Sequence, residues 1–124
     1  FRVKQGCFVD ISINGQERSV FFDSGTTAGL CTTEKTWQGL SEGLRVIDRK
    51  WVRLRKPHGF IVAEKLIVES LLVGDFQLSK ANVIVLEDSP SDGIDILLGV
   101  DLFQQMQVTI DFANNFLWIR NDVP

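Results

Sequence analysis

Short stretches in which apolar and polar residues alternate run through most of this chain, and turn residues separate them. FVDISI (8–13) alternates, the NG pair at 14–15 is a strong hairpin signal, and QERSVFF (16–22) returns. Further stretches predicted as strands are 46–54, 60–73, 80–86, 94–99 and 108–119. Many short strands separated by turns are typical of an all-β barrel or sandwich.

Other segments connect the predicted strands. TTEKTWQGL (32–40) favours a short helical or irregular turn with a threonine cap, and VDLFQQM (100–106) favours one brief helix near the C-terminus. Turns or loops are predicted at 55–59, 73–76, 87–93 and 114–115. The fold class predicted from these elements is therefore all-β, with a single short helix towards the end of the chain.

Size and composition favour one globular domain over residues 1–124. Hydrophobic residues make up 44% and charged residues 23% of the chain, which is ordinary for a globular protein. The net charge is −3 and the basic residues are scattered, except in RKWVRLRK (49–56), so no nucleic-acid partner is predicted. No apolar run approaches the ~20 residues that cross a bilayer, so no membrane contact is predicted either. Because the chain starts at Phe1 rather than Met, we expect it to be cut from a longer protein.

Cysteine and histidine are too few for a metal or disulfide framework. Cys7 and Cys31 are the two cysteines and His58 is the one histidine. We expect both thiols to be small buried apolar groups, and we predict no metal and no cofactor.

VFFDSGTTAGL (20–30) is the stretch that points to chemistry. An apolar strand runs into Asp23, which is followed by small and hydroxyl-bearing residues. Three interpretations compete: a surface turn, a phosphate loop of the actin-like ATPases, and one half of a catalytic carboxylate pair. The ATPase fold needs two large α/β domains, which 124 strand-rich residues cannot form. A turn does not require the preceding aromatic pair or the two threonines.

The third interpretation brings in a resemblance to the retropepsins, the single-domain dimeric relatives of pepsin. FFDSGTT (21–27), ILLGVDLF (96–103) and VTIDFANNFLWI (108–119) resemble the motifs of that family in order and spacing, over roughly residues 5 to 120. The LLGxD form looks closer to the branch found in DNA-damage-inducible proteins, and to retrotransposon or bacterial relatives, than to viral enzymes. The resemblance implies a small closed barrel with a flap hairpin and an aspartic endopeptidase activity.

The resemblance also assigns roles to the residues around Asp23. It implies that Asp23 is the catalytic carboxylate, that Ser24 links the two loops of a dimer, that Gly25 allows close backbone approach, and that Thr26 hydrogen-bonds the carboxylate. Residues expected to contact substrate are Thr27, Ala28, Pro57, His58, Gly59 and Phe60. His58 either titrates near the substrate or is an exposed turn residue without a role.

One chain carries a single good motif, because Pro90 replaces the glycine after Asp88-Ser89. The second carboxylate is therefore expected from a second copy of the chain, in a symmetric homodimer that cleaves an extended polypeptide. The predicted flap tip RKPHGF (55–60) has one glycine where viral flaps have several, and the chain contains no tyrosine. A binding or dimerisation module without activity is the alternative function.

Overall fold

The computed structural model describes residues 8–23, 29–88, 94–99, 107–111, 113–114 and 116–120. These residues form nine strands and one helix. In chain order the elements are β1 (Phe8–Ile13), β2 (Gln16–Phe22), β3 (Leu30–Thr33), α1 (Glu34–Leu40), β4 (Val46–Lys56), β5 (Gly59–Val73), β6 (Phe76–Leu86), β7 (Ile96–Leu98), β8 (Gln107–Asp111) and β9 (Phe116–Arg120). The prediction of a mostly β protein is confirmed.

Seven strands form one sheet in the order β1-β2-β7-β3-β6-β5-β4. Most neighbours are antiparallel, but β2 pairs in parallel with β7, and β3 pairs in parallel with β6. One further residue pair, Ile13 with Val73, joins β1 to β5. Strands β8 and β9 pair with each other in a separate two-stranded sheet. The closed barrel remains a prediction.

The first hairpin forms as the alternation predicts. Asn14 adopts a positive φ of 50° and Gly15 one of 82°, which suits the two-residue turn between β1 and β2. The Asn14 side chain donates to the carbonyl oxygens of Leu40 at 2.6 Å and Glu42 at 3.1 Å. This turn therefore also holds the end of α1.

Two apolar clusters occupy opposite faces of the sheet, because successive side chains of a strand point to opposite sides. The larger cluster is the main core; it is formed by β1, β2, α1 and one face of the central strands, and includes Ile11, Leu40, Leu66 and Leu98. The smaller one is called here the inner cluster. Its members are Cys31, Val52, Leu54, Ile61, Ala63, Ile84, Leu86 and Leu97.

Several boundaries differ from the sequence prediction. Strand β3 was not predicted, because its four residues are all buried and show no alternation. The helical turn expected at 32–40 is confirmed as α1, with Thr33 as its N-cap. The helix expected near the C-terminus, at 100–106, lies outside the described residues.

The closing hairpin is confirmed: Asp111 pairs with Phe116, and Ala113 and Asn114 lie in the turn between the strands. Asn115, the other residue predicted for this turn, lies outside the described residues. The Asn114 side chain donates to an Asp111 carboxylate oxygen at 2.8 Å, and its backbone N–H donates to the other oxygen at 3.2 Å. These hydrogen bonds lower the pKa of the Asp111 carboxyl group below its ordinary value.

Candidate functional site

Asp23 lies immediately after β2, where the predicted catalytic motif begins. Phe21 and Phe22 pair in parallel with Leu97 and Leu98 of β7. The backbone N–H of Asp23 then donates to the carbonyl oxygen of Leu98 at 2.9 Å. Strand β7 therefore fixes the direction in which the chain leaves β2. Asp23 itself is half-buried.

The loop that starts at Asp23 is held at its other end as well. The backbone N–H of Gly99 donates to the carbonyl oxygen of Gly29 at 2.7 Å. Consecutive residues of the β7 segment, Leu98 and Gly99, thus bind the two ends of one short loop. These hydrogen bonds bring the start of the DSG segment next to the LLG segment, although more than 70 residues separate them along the chain.

The other motif residues predicted for the site lie inside this loop. Residues 24–28 are outside the described part of the chain, so Ser24, Gly25, Thr26, Thr27 and Ala28 keep their roles as predictions.

The β4–β5 hairpin and the strand that holds Asp23 contribute to the same apolar cluster. Leu97 pairs with Phe21 on one side and with Cys31 on the other, and its side chain packs in the inner cluster. The hairpin contributes four residues to this cluster: Val52, Leu54, Ile61 and Ala63. The inner face of the hairpin is therefore apolar and belongs to the same cluster as Leu97, although β3 and β6 lie between the hairpin and β7 in the sheet.

The tip of the hairpin is a two-residue turn at Pro57 and His58, closed by the pair Lys56 and Gly59. Gly59 has a φ of +133°, a conformation that other residues rarely adopt. All four predicted contact residues, Pro57, His58, Gly59 and Phe60, are exposed. The turn is shorter than the five-residue turn expected from RKPHG, because β4 and β5 extend further towards the tip.

A cavity of about 570 Å³ lies between this tip and the end of β6. Its described lining consists of residues 56–62 and 86–88. The structure therefore brings the four predicted tip residues together in one cavity, but Asp23 is not among the residues lining it. Within one chain, the predicted site is divided between the tip cavity and the end of β2.

Cys31 contributes a thiol group to the otherwise hydrocarbon side chains of the inner cluster. Its side chain is buried, and this burial raises the pKa of the thiol from its ordinary 9.0 to about 11, while the nearby charge of Lys56 opposes the shift. The thiol is thus held neutral, as expected for a small apolar group. Cys7 lies outside the described residues.

The apolar lining of the inner cluster was not predicted from the sequence. Val52, Leu54 and Ile61 were assigned only to strands, although the alternation already placed Val52 and Leu54 on one face. Within the described residues, no group of three or more His, Cys, Asp or Glu side chains is arranged to hold a metal ion. Helix α1, at seven residues, is too short to cross a bilayer, and the described parts of the chain contain no helix that could.

A protein-family model and several curated proteins match this chain. A family model described as aspartyl protease matches residues 9–102. The chain is 28% identical over 114 residues to Protein DDI1 homolog 1 of Homo sapiens, and 28% identical to Protein DDI1 homolog 2 of Danio rerio. Each alignment covers 90% of this chain but 27% and 26% of the relative, so the chain spans about a quarter of the length of the curated relatives it matches.

Two solved structures share the fold. A retropepsin-like aspartic protease from Rickettsia conorii aligns with a TM-score of 0.61 and 21% identity, over 92% of this chain and 80% of that one. The retroviral protease-like domain of Ddi1 from Leishmania major aligns with a TM-score of 0.52 and 17% identity, over 94% and 89% of the two chains. The predicted retropepsin-like fold is thereby confirmed.

Proposed function

Because this chain belongs to the aspartyl protease family, we propose that it is an aspartic endopeptidase with Asp23 as its catalytic carboxylate. The observation that carries the proposal is the position of Asp23. It follows β2 directly, its N–H donates to the Leu98 carbonyl oxygen at 2.9 Å, and the strand beside it shares an apolar cluster with the β4–β5 hairpin. A half-buried aspartate at the end of an apolar strand is a candidate for acid–base chemistry.

Peptide hydrolysis by this route needs two carboxylates that share one proton. In the proposed mechanism the second is Asp23 of the partner subunit in a symmetric homodimer. The ionised carboxylate removes a proton from a water molecule, whose oxygen attacks the scissile carbonyl carbon, while the protonated carboxyl donates to the carbonyl oxygen. Proton transfer to the amide nitrogen then allows the C–N bond to break. No cofactor takes part in this scheme.

Exposed aromatic residues near the end of the chain support the homodimer. Phe116 and Trp118 lie on β9, are 43% and 59% exposed, and their ring centroids are 6.0 Å apart. Paired apolar side chains left in solvent on one strand are typical of a protein interface. We propose that this surface joins the two subunits, together with the loops that start at Asp23.

The inner cluster supports an extended polypeptide as substrate. In the proposed dimer, the β4–β5 hairpin acts as a flap, and the substrate lies beneath it as an added strand. Leu54, Ile61 and Leu97 are half-buried members of the cluster. Because these side chains are apolar, we expect apolar substrate residues beside the scissile bond.

The test is cleavage of a peptide library by the wild-type protein and by Asp23→Asn. We expect the substitution to lower the rate by about 10²–10⁴-fold, because it removes the acid–base group. Asp75→Asn is the matched control, since Asp75 is exposed in the turn between β5 and β6. Equal cleavage by the wild type and Asp23→Asn would refute the assignment. Peptide binding without cleavage by the wild type would instead support a binding module.

A further inference from the structure

A second groove lies on the face of the sheet opposite the inner cluster. It has a volume of about 620 Å³ and lies between α1 and the outer face of the β4–β5 hairpin. We call it the outer groove. Its apolar lining includes Trp37, Trp51 and Val62. Its charged lining consists of Glu34, Glu64, Glu87 and Arg49. Because strand side chains alternate, Trp51 points away from its neighbour Val52 in the inner cluster.

The hairpin side of the outer groove is an exposed apolar surface. Trp51 is 72% exposed and Val62 is 62% exposed, the two highest values among the large apolar residues of the described chain. Trp51 pairs across the strands with Glu64, and Val62 pairs with Arg53, so the two apolar side chains are diagonal neighbours on one face. Adjacent exposed apolar groups beside a groove are typical of an interaction surface.

Acidic and basic side chains are distributed unevenly over this surface. The groove lining contains three carboxylates, of Glu34, Glu64 and Glu87, and one basic residue, Arg49. Arg53 and Arg55 follow Trp51 along β4 towards the tip. The Arg53 guanidinium lies over the Phe60 ring at 4.7 Å, and the described residues include no ion pair to either arginine. Residues 46–62 contain five Lys or Arg and one acidic residue, a net charge of +4 in a chain of net charge −3.

We propose that the outer groove docks a segment of a partner polypeptide with a central apolar side chain, acidic residues on one side and basic residues on the other. The apolar side chain covers Trp51 and Val62, the acidic residues face Arg53 and Arg55, and the basic residues face the three carboxylates. A polyanion such as a nucleic acid or an anionic membrane is disfavoured, because those carboxylates would repel it. This site is separate from the proposed catalytic function and does not require Asp23.

Binding of synthetic peptides to Asp23→Asn protein tests the inference without cleavage of the probe. Three peptides of equal length carry a central Phe with Glu on one side and Lys on the other, with Glu on both sides, or with Lys on both sides. We expect the mixed peptide to bind most tightly, with a change in tryptophan fluorescence. Trp51→Ala should weaken it by about tenfold or more, as for other central aromatic anchors, and Trp51→Phe should retain most of the affinity.

Two further variants separate charge from packing. Arg53→Glu with Arg55→Glu should weaken binding of the Glu-only peptide and strengthen binding of the Lys-only peptide, because it replaces two cationic side chains with carboxylates. Leu72→Ala is the control, since Leu72 is 37% exposed but does not line the outer groove. Equal affinity for all three peptides, or no effect of Trp51→Ala, would overturn the inference. Tighter Trp51-dependent binding to phosphatidylserine vesicles or to polyuridine would overturn it as well.

Discussion

Burial of Cys31 keeps its thiol protonated. Its thiol is 7% exposed among Ile84, Leu97 and the hairpin residues of the inner cluster. Desolvation disfavours the thiolate, which raises the pKa to about 11 despite the nearby ammonium of Lys56. A thiol held protonated is a poor nucleophile, so we assign Cys31 a packing role.

The raised pKa of Cys31 predicts a specific pH dependence of stability. Below pH 9 the thiol is protonated in both folded and unfolded chains and has no effect on the pH dependence. Between pH 9 and about 11 the unfolded chain loses this proton first, so the free energy of unfolding falls as pH rises. The rise of the thiol pKa from 9.0 to about 11 corresponds to a loss of at most ~3 kcal/mol in the free energy of unfolding.

Denaturant unfolding at a series of pH values measures this effect in a Cys7→Ser background. Cys31→Ala should show a flatter decline of stability between pH 9 and 11 than its parent, although it is less stable at pH 7 because it leaves a small cavity. Identical slopes in the two proteins would show that the Cys31 thiol ionises as readily in the folded chain as in the unfolded one.

At the scale of elements, α1 depends on a single residue at its start. The Thr33 hydroxyl oxygen accepts from the backbone N–H of Thr36 at 3.2 Å. Thr33→Ala should lower the free energy of unfolding by about 0.5–2 kcal/mol, the usual cost of losing an N-cap. Thr33→Ser should retain most of the stability. Chemical denaturation measures both, and equal losses in the two variants would assign the effect to the Thr33 methyl group instead of the cap.

The β4–β5 hairpin is the element whose proposed role depends most on its turn. Pro57 fixes one φ angle at a tip where viral flaps carry several glycines. If the hairpin gates the cleft, Pro57→Gly should change kcat and KM together, because hinge substitutions alter both closure and release. Steady-state kinetics on one cleaved peptide provide the measurement, with Asp75→Gly in the β5–β6 turn as control. Unchanged kinetics in Pro57→Gly would mean that the tip does not gate access.

The same hairpin has two different faces. Val52, Leu54 and Ile61 pack inwards, whereas Trp51 and Val62 are exposed on the outside. Alternation in the sequence predicts two faces but not which one is covered. The distinction arises because the inward side chains pack against the buried residues of the inner cluster, whereas Trp51 and Val62 line the open outer groove.

At the scale of the whole molecule, the proposed mechanism requires two copies of the chain. Specific activity should therefore fall on dilution as the dimer dissociates. If Ser24 links the two loops of the dimer, as the resemblance implies, the activity of Ser24→Ala should begin to fall at a higher protein concentration than that of the wild type. A lost hydrogen bond between subunits costs about 0.5–1.5 kcal/mol. Excess Asp23→Asn chains, mixed and allowed to exchange, should inhibit the wild type through inactive heterodimers. Full activity in a species that sediments as a monomer would contradict the shared carboxylate pair.

The sequence by itself determined the local features of this protein. Alternation and the NG turn predicted the first hairpin, and the capping threonine predicted α1, because these depend on residues close together in the chain. The motif beginning at Asp23 and the LLG motif indicated the family through their order and spacing along the chain. The charge and turn residues of the hairpin tip were also visible in the sequence.

Only the tertiary structure decided which distant segments meet. Strand β3 was missed because a short, fully buried strand has no polar side to produce alternation. The parallel pairing of β2 with β7 joins residues more than 70 positions apart, and it fixes both ends of the loop that starts at Asp23. Local preferences do not encode such a contact, since its stability comes from burying the two strands together. The burial of Cys31 and the exposure of Trp51 likewise depend on which strands meet.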